Sequence, residues 1–232
     1  MEFTANQNKQ IQIQTEAGTF QRCAIKTHFV QIGEDYVQLV KDYVLPMYQE
    51  GDILSISEKI ISLCQKRVVY KKDMHLSWLA KFLSRFASHS SAGIGVDCVW
   101  KMQFAIDHCG PLKIIWASIA AAFGKLFGKR GVFYAIAGPE VTGLDGFYDK
   151  SYAEYGDFGI RIPENSAGVC DEIYEKTGVA CMIVDANDFT VDILGKSKVI
   201  PFSDQELAAI IKDNPAGQSA QQTPFILIRQ EK

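Results

Sequence analysis

The chain has 232 residues, with 24 lysines and arginines against 27 aspartates and glutamates and a formal net charge of −3. Hydrophobic residues make up 47% and charged residues 22%, an ordinary globular composition that excludes a disordered acidic tail, a collagen-like repeat and a disulfide-stapled mini-protein. A chain of this length buries roughly 70% of its unfolded surface and needs no crosslink merely to fold, and its near-balanced charge gives no general pull toward nucleic acid.

In chain order, Ile11, Ile13 and Thr15 alternate with Gln12 and Gln14, and Cys23, Ile25 and Thr27 continue a strand pattern to Val30. From Glu34 to Tyr48, Val37, Val40, Val44 and Met47 keep helical spacing, and Pro46 should end or kink that helix. Asp52–Ser57 reads as a buried strand entered from the Gly51-Asp52 turn. Asp73 is expected to cap a helix with Leu76, Leu79, Leu83 and Phe86 on one face. After a Ser/Gly-rich break at His89–Val96, helices are predicted around Trp100–Cys109 and Pro111–Phe123, and Gly131–Ala137 reads as a strand. Ala167–Thr177 is predicted helical, Val179–Val184 a strong central strand and Val191–Leu194 a short one. Ser203-Asp-Gln-Glu206 is a capping box opening a helix to Lys212, Asn214–Thr223 is a glutamine-rich loop, and Phe225–Ile228 is a last strand.

The mixture predicts an α/β or α+β fold, a mixed sheet with surrounding helices and a helical insertion. The expected division is an N-terminal α/β lobe over 1–90, the insertion over 91–130 and a C-terminal α/β part over 131–232, or one compact domain holding all three. Cys23, Cys64, Cys98, Cys109, Cys170 and Cys181 include no CxxC pair, and the polar N-terminus MEFTANQNKQ lacks an apolar signal segment. Reduced thiols in a cytoplasmic protein are therefore expected. The most apolar stretch, Leu112–Pro139, is broken by Lys113, Lys125, Lys129 and Arg130, and its uncharged run Ile114–Gly124 is far below the roughly 20 residues of a membrane span. Phe123, Leu126 and Phe127 interleave with those cations, which allows a basic amphipathic surface helix. A core-packed helix with a basic exit turn, and no membrane partner, is the expected reading.

Generic motifs point away from several enzyme classes. There is no GxGxxG, GxSxG or HExxH. Gly124-Lys-Leu-Phe-Gly128-Lys129-Arg130 superficially resembles a phosphate loop but is one residue short and ends in Arg. His28, His75, His89 and His108 are scattered singly. What remains is carboxylates in strand-end loops. Val184-Asp185-Ala186-Asn187-Asp188 follows the strongest strand and offers oxygens suited to a hard divalent cation, or else an Asx turn between two strands. Thr142-Gly-Leu-Asp145-Gly146 is a similar but weaker candidate, readable as a simple turn.

Gly51-Asp52-Ile-Leu-Ser-Ile-Ser-Glu-Lys59-Ile-Ile-Ser62 resembles the "GD-hydrophobic-V-(T/S)-x-K" segment of the γ-glutamyl ligases of the deazaflavin coenzyme F-420. Lys26–Val30 with Gly33-Glu-Asp35 resembles that family's N-terminal loop, and Ala137–Asp145 sits where the family carries "AGID". Pro163-Glu-Asn165 is similar to its "LP-x-x-P" segment, Val184–Asp188 to "SDT-x-G", and Thr223–Ile228 to its closing strand.

The resemblance implies that family's fold and a GTP- and divalent-metal-dependent ligase, with magnesium or manganese as the ion and ATP as the other candidate nucleotide. The nucleotide would activate a carboxylate as an acyl phosphate, and glutamate or a similar amino acid would then attack to form an amide. Carried over by position, Asp145 and Asp185 are the metal ligands, with Asn187 and Asp188 beside them. Thr27, His28, Phe29, Val30, Ser57, Glu58, Lys59, Gly217, Gln218, Gln221, Gln222 and Thr223 would surround the nucleotide. Lys59 and Asp185 carry the catalytic roles. The implied partners are an acid acceptor and an amino acid, with no nucleic acid, and the implied assembly is a homodimer. Ala186, Tyr148 and Leu63 stand where the family has threonine, asparagine and lysine, and the stretch between Asp188 and Phe225 is short. These departures leave a second reading, a non-catalytic nucleotide- or metabolite-binding relative.

Overall fold

In a computed structural model that describes residues 3–87, 95–147, 156–187, 190–217 and 221–231, the chain divides into two units. The first is Met1–Lys66 together with Pro163–Lys232, and the second is Arg67–Ile162. The opening half of the first unit holds β1 (Gln12–Thr15), β2 (Gly18–Ile25), α1 (Tyr36–Tyr43), β3 (Ile53–Ser57) and α2 (Glu58–Cys64). The second unit holds β4 (Val68–Tyr70), a 3-10 turn at Lys71–Asp73, α3 (Trp78–Ser84), α4 (Val99–Cys109) and α5 (Pro111–Leu126). It continues with α6 (Val132–Ala137), α7 (Pro139–Thr142), β5 (Asp145–Gly146) and β6 (Phe158–Ile160). The chain returns to the first unit through α8 (Ser166–Thr177), β7 (Cys181–Ala186), β8 (Val191–Lys196), α9 (Asp204–Ile210) and β9 (Phe225–Gln230). The architecture is thus mixed α/β.

The first unit is built on a sheet of order β1-β2-β9-β3-β7-β8, in which β3 and β7 are parallel and the other neighbours antiparallel. Its central strands read as apolar runs without polar alternation because helices cover both faces. Leu54, Ile56, Cys181, Ile183, Phe225 and Leu227 pack with Val37 and Val40 of α1, Ile60 and Ile61 of α2, and Val169 and Ile173 of α8. The alternate residues Ile53, Met182, Val184, Ile226 and Ile228 pack with Leu207 and Ile210 of α9. Gly195 permits the close approach of β8 to α8, since a Cβ there would lie 2.4 Å from the Ala167 nitrogen.

An ion pair that is buried at Asp52 and 27% exposed at Arg229 pins the central strands. Arg229 Nε and Nη2 donate to Asp52 Oδ1 and Oδ2 at 2.7 and 2.6 Å. Asp52 is buried, and its Oδ2 also accepts the Gln49 amide at 2.9 Å. The Gly51-Asp52 pair that carried a family resemblance therefore has a structural role at the entrance of β3.

The second unit has its own apolar core, in which Met102, Phe104, Ala105, Ile114, Ala117, Phe133, Val141, Leu144 and Phe147 are buried together. Its small sheet has the order β4-β6-β5. Gly146 is required there, because at φ +92° a Cβ would lie 2.6 Å from the Phe158 carbonyl oxygen. Glu140 bridges two guanidinium groups, at 2.6 Å from Arg67 Nη2 and 3.0 Å from Arg161 Nε.

Three expectations are corrected in this unit. Gly131–Ala137 is helix rather than strand: its β-branched and aromatic residues mislead, but Phe133 and Ala137 lie one turn apart and bury together. The helix after Asp73 starts at Trp78 and is capped by Ser77, whose Oγ accepts the Ala80 amide at 3.1 Å; Asp73 closes the 3-10 turn. Its buried residues are Ala80 and Ser84, while Phe86 is exposed. Finally, α5 is not a wholly core-packed helix. It buries Ile114 and Ala117 but exposes Leu112, Trp116, Ile119, Phe123 and Leu126.

All six cysteines are free thiols, and among the described residues no helix is long and apolar enough to cross a membrane. Replacing Asp52 by Asn leaves Arg229 without its charged partner and should cost about 2–3 kcal/mol of unfolding free energy. The check is the urea midpoint at unchanged denaturant slope; an unmoved midpoint would show the pair to be dispensable.

Candidate functional site

The registers of the first unit bring several sequence-predicted segments to one end of its sheet. β3 and β7 run parallel with Ser57 opposite Val184, so Ser57-Glu58-Lys59 and Asp185 leave the sheet at the same edge. β9 enters at that edge: the Ser57 amide donates to the Pro224 carbonyl at 2.9 Å. β2 ends there, with Ile25 opposite Phe225, and the Thr27 amide donates to the Gln222 carbonyl at 3.0 Å. Thr27, Ser57, Gln222 and Asp185 are therefore gathered by backbone pairing alone. The carboxyl ends of parallel strands are where open α/β sheets bind ligands, since polar groups collect there without disturbing the core.

The loop before β9 is held by long-range bonds. Asn6 Nδ2 donates to the Thr223 hydroxyl at 2.6 Å and to the carbonyls of Pro215 and Ala216. The buried Arg22 donates to both carboxylate oxygens of Asp213, and also to the carbonyls of Ile210 and Gln10. Gly217 turns at φ +77°, and Gln222 holds φ +55°, a conformation that costs a non-glycine residue and persists where surroundings enforce it. Gln218 lies outside the described residues, as does Asp188.

The segment Thr27–Val30 divides in its roles. Val30 is a core residue. Thr27 is buried, and its hydroxyl donates to the His28 carbonyl at 2.8 Å. Phe29 gives its carbonyl to Gln31 Nε2. His28 is the chemically richest member, although sequence alone ranked it as a single, scattered histidine. Its Nδ1 lies 2.6 Å from the Tyr43 hydroxyl and its Nε2 lies 2.8 Å from Glu34 Oε2. The neutral Nε2–H tautomer satisfies every group: the ring donates to Glu34, accepts from Tyr43, and Tyr43 accepts the His28 amide at 3.2 Å. Tyr43–His28–Glu34 is thus a hydrogen-bonded proton chain in which a carboxylate orients the imidazole. Glu34 and Tyr43 lie at separations from His28 that no local pattern signals.

Asn187 closes the β7–β8 turn, its Oδ1 accepting the Thr190 amide at 2.9 Å and its Nδ2 donating to the Thr190 hydroxyl at 3.0 Å. Asp185 stands directly opposite Asp192 across the hairpin. Like charges in such a pair repel unless a cation or cap offsets them. Val184, Val191 and Ile193 pack on the α9 side, so alternation puts both aspartates on the side of α1, α2 and α8. Asp192 is the partner that sequence reasoning passed over, because register was needed to find it. Asp145 belongs to the second unit, where its Oδ1 accepts the Gly146 amide at 2.9 Å. Among the described residues, no group of three or more His, Cys, Asp or Glu side chains is clustered for a metal ion.

Near the proton chain, burial, with Glu34 and Asp35 adding to it, pushes the Cys64 thiol up to about 12, so it stays protonated and unreactive at neutral pH. Lys176, and after it the Tyr36 hydroxyl, hold Glu172 below its ordinary range through hydrogen bonds.

Comparison with known families finds no family model that matches the chain, and comparison with curated proteins finds no match.

The Arg22–Asp213 pair generates a pH prediction. Burial pushes the Asp213 carboxyl up, but the hydrogen bond and charge of Arg22 outweigh it and hold the group below its ordinary range. A carboxyl lowered by folding contributes stability that is full above its unfolded value of about 3.9 and is lost as pH falls through the folded value. Asp213→Asn should cost about 1–2 kcal/mol at neutral pH, discounted from a fully buried pair because the Asp213 side chain is 37% exposed. Chemical denaturation across acid pH should show the gap to wild type closing once Asp213 is protonated. A gap that persists unchanged below that range would contradict the pair's role.

Proposed function

We propose that the sheet edge of the first unit is the site of a nucleotide-dependent carboxylate–amine ligase, using GTP or ATP with magnesium or manganese. The observation that carries this reading is the meeting of four segments at one edge: Thr27-His28, Ser57-Glu58-Lys59, Asp185 and Gln222-Thr223. These are the segments whose sequences resemble the γ-glutamyl ligases of coenzyme F-420, and on that resemblance the amine is glutamate or a similar amino acid and the assembly a homodimer.

The residues fit the chemistry in three ways. Lys59, in the first turn of α2, supplies a point charge for phosphate oxygens. Asp185 and Asp192, opposed across the hairpin, offer the oxygens a hard divalent cation takes, and a bound ion would supply charge neutralisation for the nucleotide phosphates. The Tyr43–His28–Glu34 chain supplies a proton acceptor at the same edge. In the reaction, the acceptor carboxylate attacks the terminal phosphorus and the nucleoside diphosphate leaves. The amine then attacks the acyl carbon and phosphate leaves, while the Tyr43 hydroxyl takes the amine's proton as it passes its own to His28 Nδ1. Such chemistry asks the protein mainly for positioning and charge placement.

Thermal unfolding with GTP and Mn²⁺ tests the reading. A ligand at a hundredfold its Kd stabilises the native state by about 2.7 kcal/mol, which raises the melting temperature of a chain this size by roughly 5–10 °C. EDTA should abolish the shift. Asp185→Asn should keep the unliganded melting temperature and lose the metal-dependent shift, because a dipole replaces a full charge. A shift insensitive to EDTA and to Asp185→Asn would leave a nucleotide- or metabolite-binding module in place of a ligase. No shift with GTP or with ATP would remove the ligase and the nucleotide-binding module alike.

A further inference from the structure

The second unit presents an apolar surface that its own core does not use. On α5, Leu112, Trp116, Ile119, Phe123 and Leu126 recur at intervals of four and three residues, which at 100° per residue confines them to an arc of roughly 80°. Leu112 is 82% exposed, Trp116 62%, Phe123 61% and Leu126 79%. The buried Ile114 and Ala117 lie on the opposite side of the helix. The next turn adds the exposed Phe127. A second apolar row stands on and just beyond α3, where Trp78, Phe82 and Phe86 are exposed and their rings follow one another at 6.3 and 5.0 Å. Single exposed apolar residues are ordinary, but a continuous row of Trp, Phe, Leu and Ile marks a surface that something covers.

The charged residues that flank these rows in the sequence have one sign. Between Asp107 and Glu140 the sequence carries Lys113, Lys125, Lys129 and Arg130 and no acidic residue; between Asp73 and Asp97 it carries Lys81 and Arg85 and none. Two copies meeting face to face through α5 would set those cations against themselves, an arrangement that repels. The complementary partner is anionic and apolar together. The row itself has no hydroxyl, amide or carboxylate with which to read a specific protein surface, whereas aromatic and aliphatic side chains flanked by lysine and arginine are the composition that lies in a lipid interface. The 16-residue α5 is about 24 Å long and too short to span, so it can only lie along the surface.

We propose that α5 docks the chain peripherally on an anionic lipid bilayer. The proposal is independent of the ligase reading. It departs from the expectation of a core-packed helix with a basic exit turn and no membrane partner, which rested on the short uncharged run Ile114–Gly124.

Co-sedimentation of the full chain with vesicles tests it, comparing phosphatidylcholine alone with equal parts phosphatidylcholine and phosphatidylglycerol. The chain should sediment with the anionic vesicles and be released by raised salt. Lys129→Glu with Arg130→Glu should weaken this binding about thirtyfold or more. Phe123→Ser with Leu126→Ser should weaken it about tenfold or more. Both pairs replace solvent-facing side chains, so circular dichroism and melting should match wild type; if one pair fails to fold, the other still decides. Failure to sediment with anionic vesicles overturns the proposal, as does equal binding to neutral vesicles or binding indifferent to both pairs. A dimer in size-exclusion chromatography that Phe123→Ser with Leu126→Ser splits, with no vesicle binding, overturns it in favour of a second copy.

Discussion

Everything in the first unit follows from the position of β3. It is paired on both sides, with β7 in parallel and β9 antiparallel, and it is covered on both faces. A strand so enclosed cannot slip by one residue, because a slip would exchange Leu54 and Ile56 with Ile53 and Ser55 between the two packing layers. Its register is therefore fixed, and with it the level shared by Ser57, Val184, Pro224 and Ile25. Beyond that level polar residues gather at one edge, Thr27, His28, Lys59, Asp185 and Gln222 among them, with Thr27 buried and bonded to the backbone.

The second unit enters this arrangement at a permissive point. Parallel strands need a crossover connection, and here the path from β3 to β7 runs through α2, the whole of Arg67–Ile162, and α8. Loop-closure entropy grows only slowly with length, so enlarging a crossover costs the sheet little. The enlarged connection carries its own sheet and its own apolar core. Both units can consequently change surface chemistry without renegotiating the central register.

What the sequence revealed and what it concealed divide along the same line. β3, β7 and β9 were legible because two-sided burial leaves apolar runs, and α9 because Ser203 and Glu206 form a complete capping box. Gly131–Ala137 was misread because its apolar composition fits strand and helix alike; only packing of Phe133 and Ala137 one turn apart decided between them. β4, β5 and β6 are two or three residues long, too short for any period to show. In the candidate site, the segments were visible and their chemistry was not. That His28 sits between Tyr43 and Glu34, or that Asp185 faces Asp192, depends on how the loop folds and which register the hairpin takes. Neither leaves a trace in local spacing. Conversely, the strand pattern that continues to Val30 outruns β2, which ends at Ile25, yet Val30 is still a core residue.

The contrast between α5 and α8 shows why composition alone cannot place a helix. α8 alternates buried Val169, Cys170 and Ile173 with charged residues, so its pattern states which side faces the core. α5 is apolar on both sides, and a pattern of that kind is equally consistent with burial all round. The apolar row of α5 is exposed in the folded chain as it would be in the unfolded one, so it adds little to stability through burial while raising the risk of aggregation. The information that separates the possibilities lies in the flanking sequence, which between Asp107 and Glu140 carries lysine and arginine and no carboxylate. A soluble face normally mixes both signs of charge; an apolar row flanked in sequence by cations alone is matched to a partner whose surface is negative and whose interior is oil.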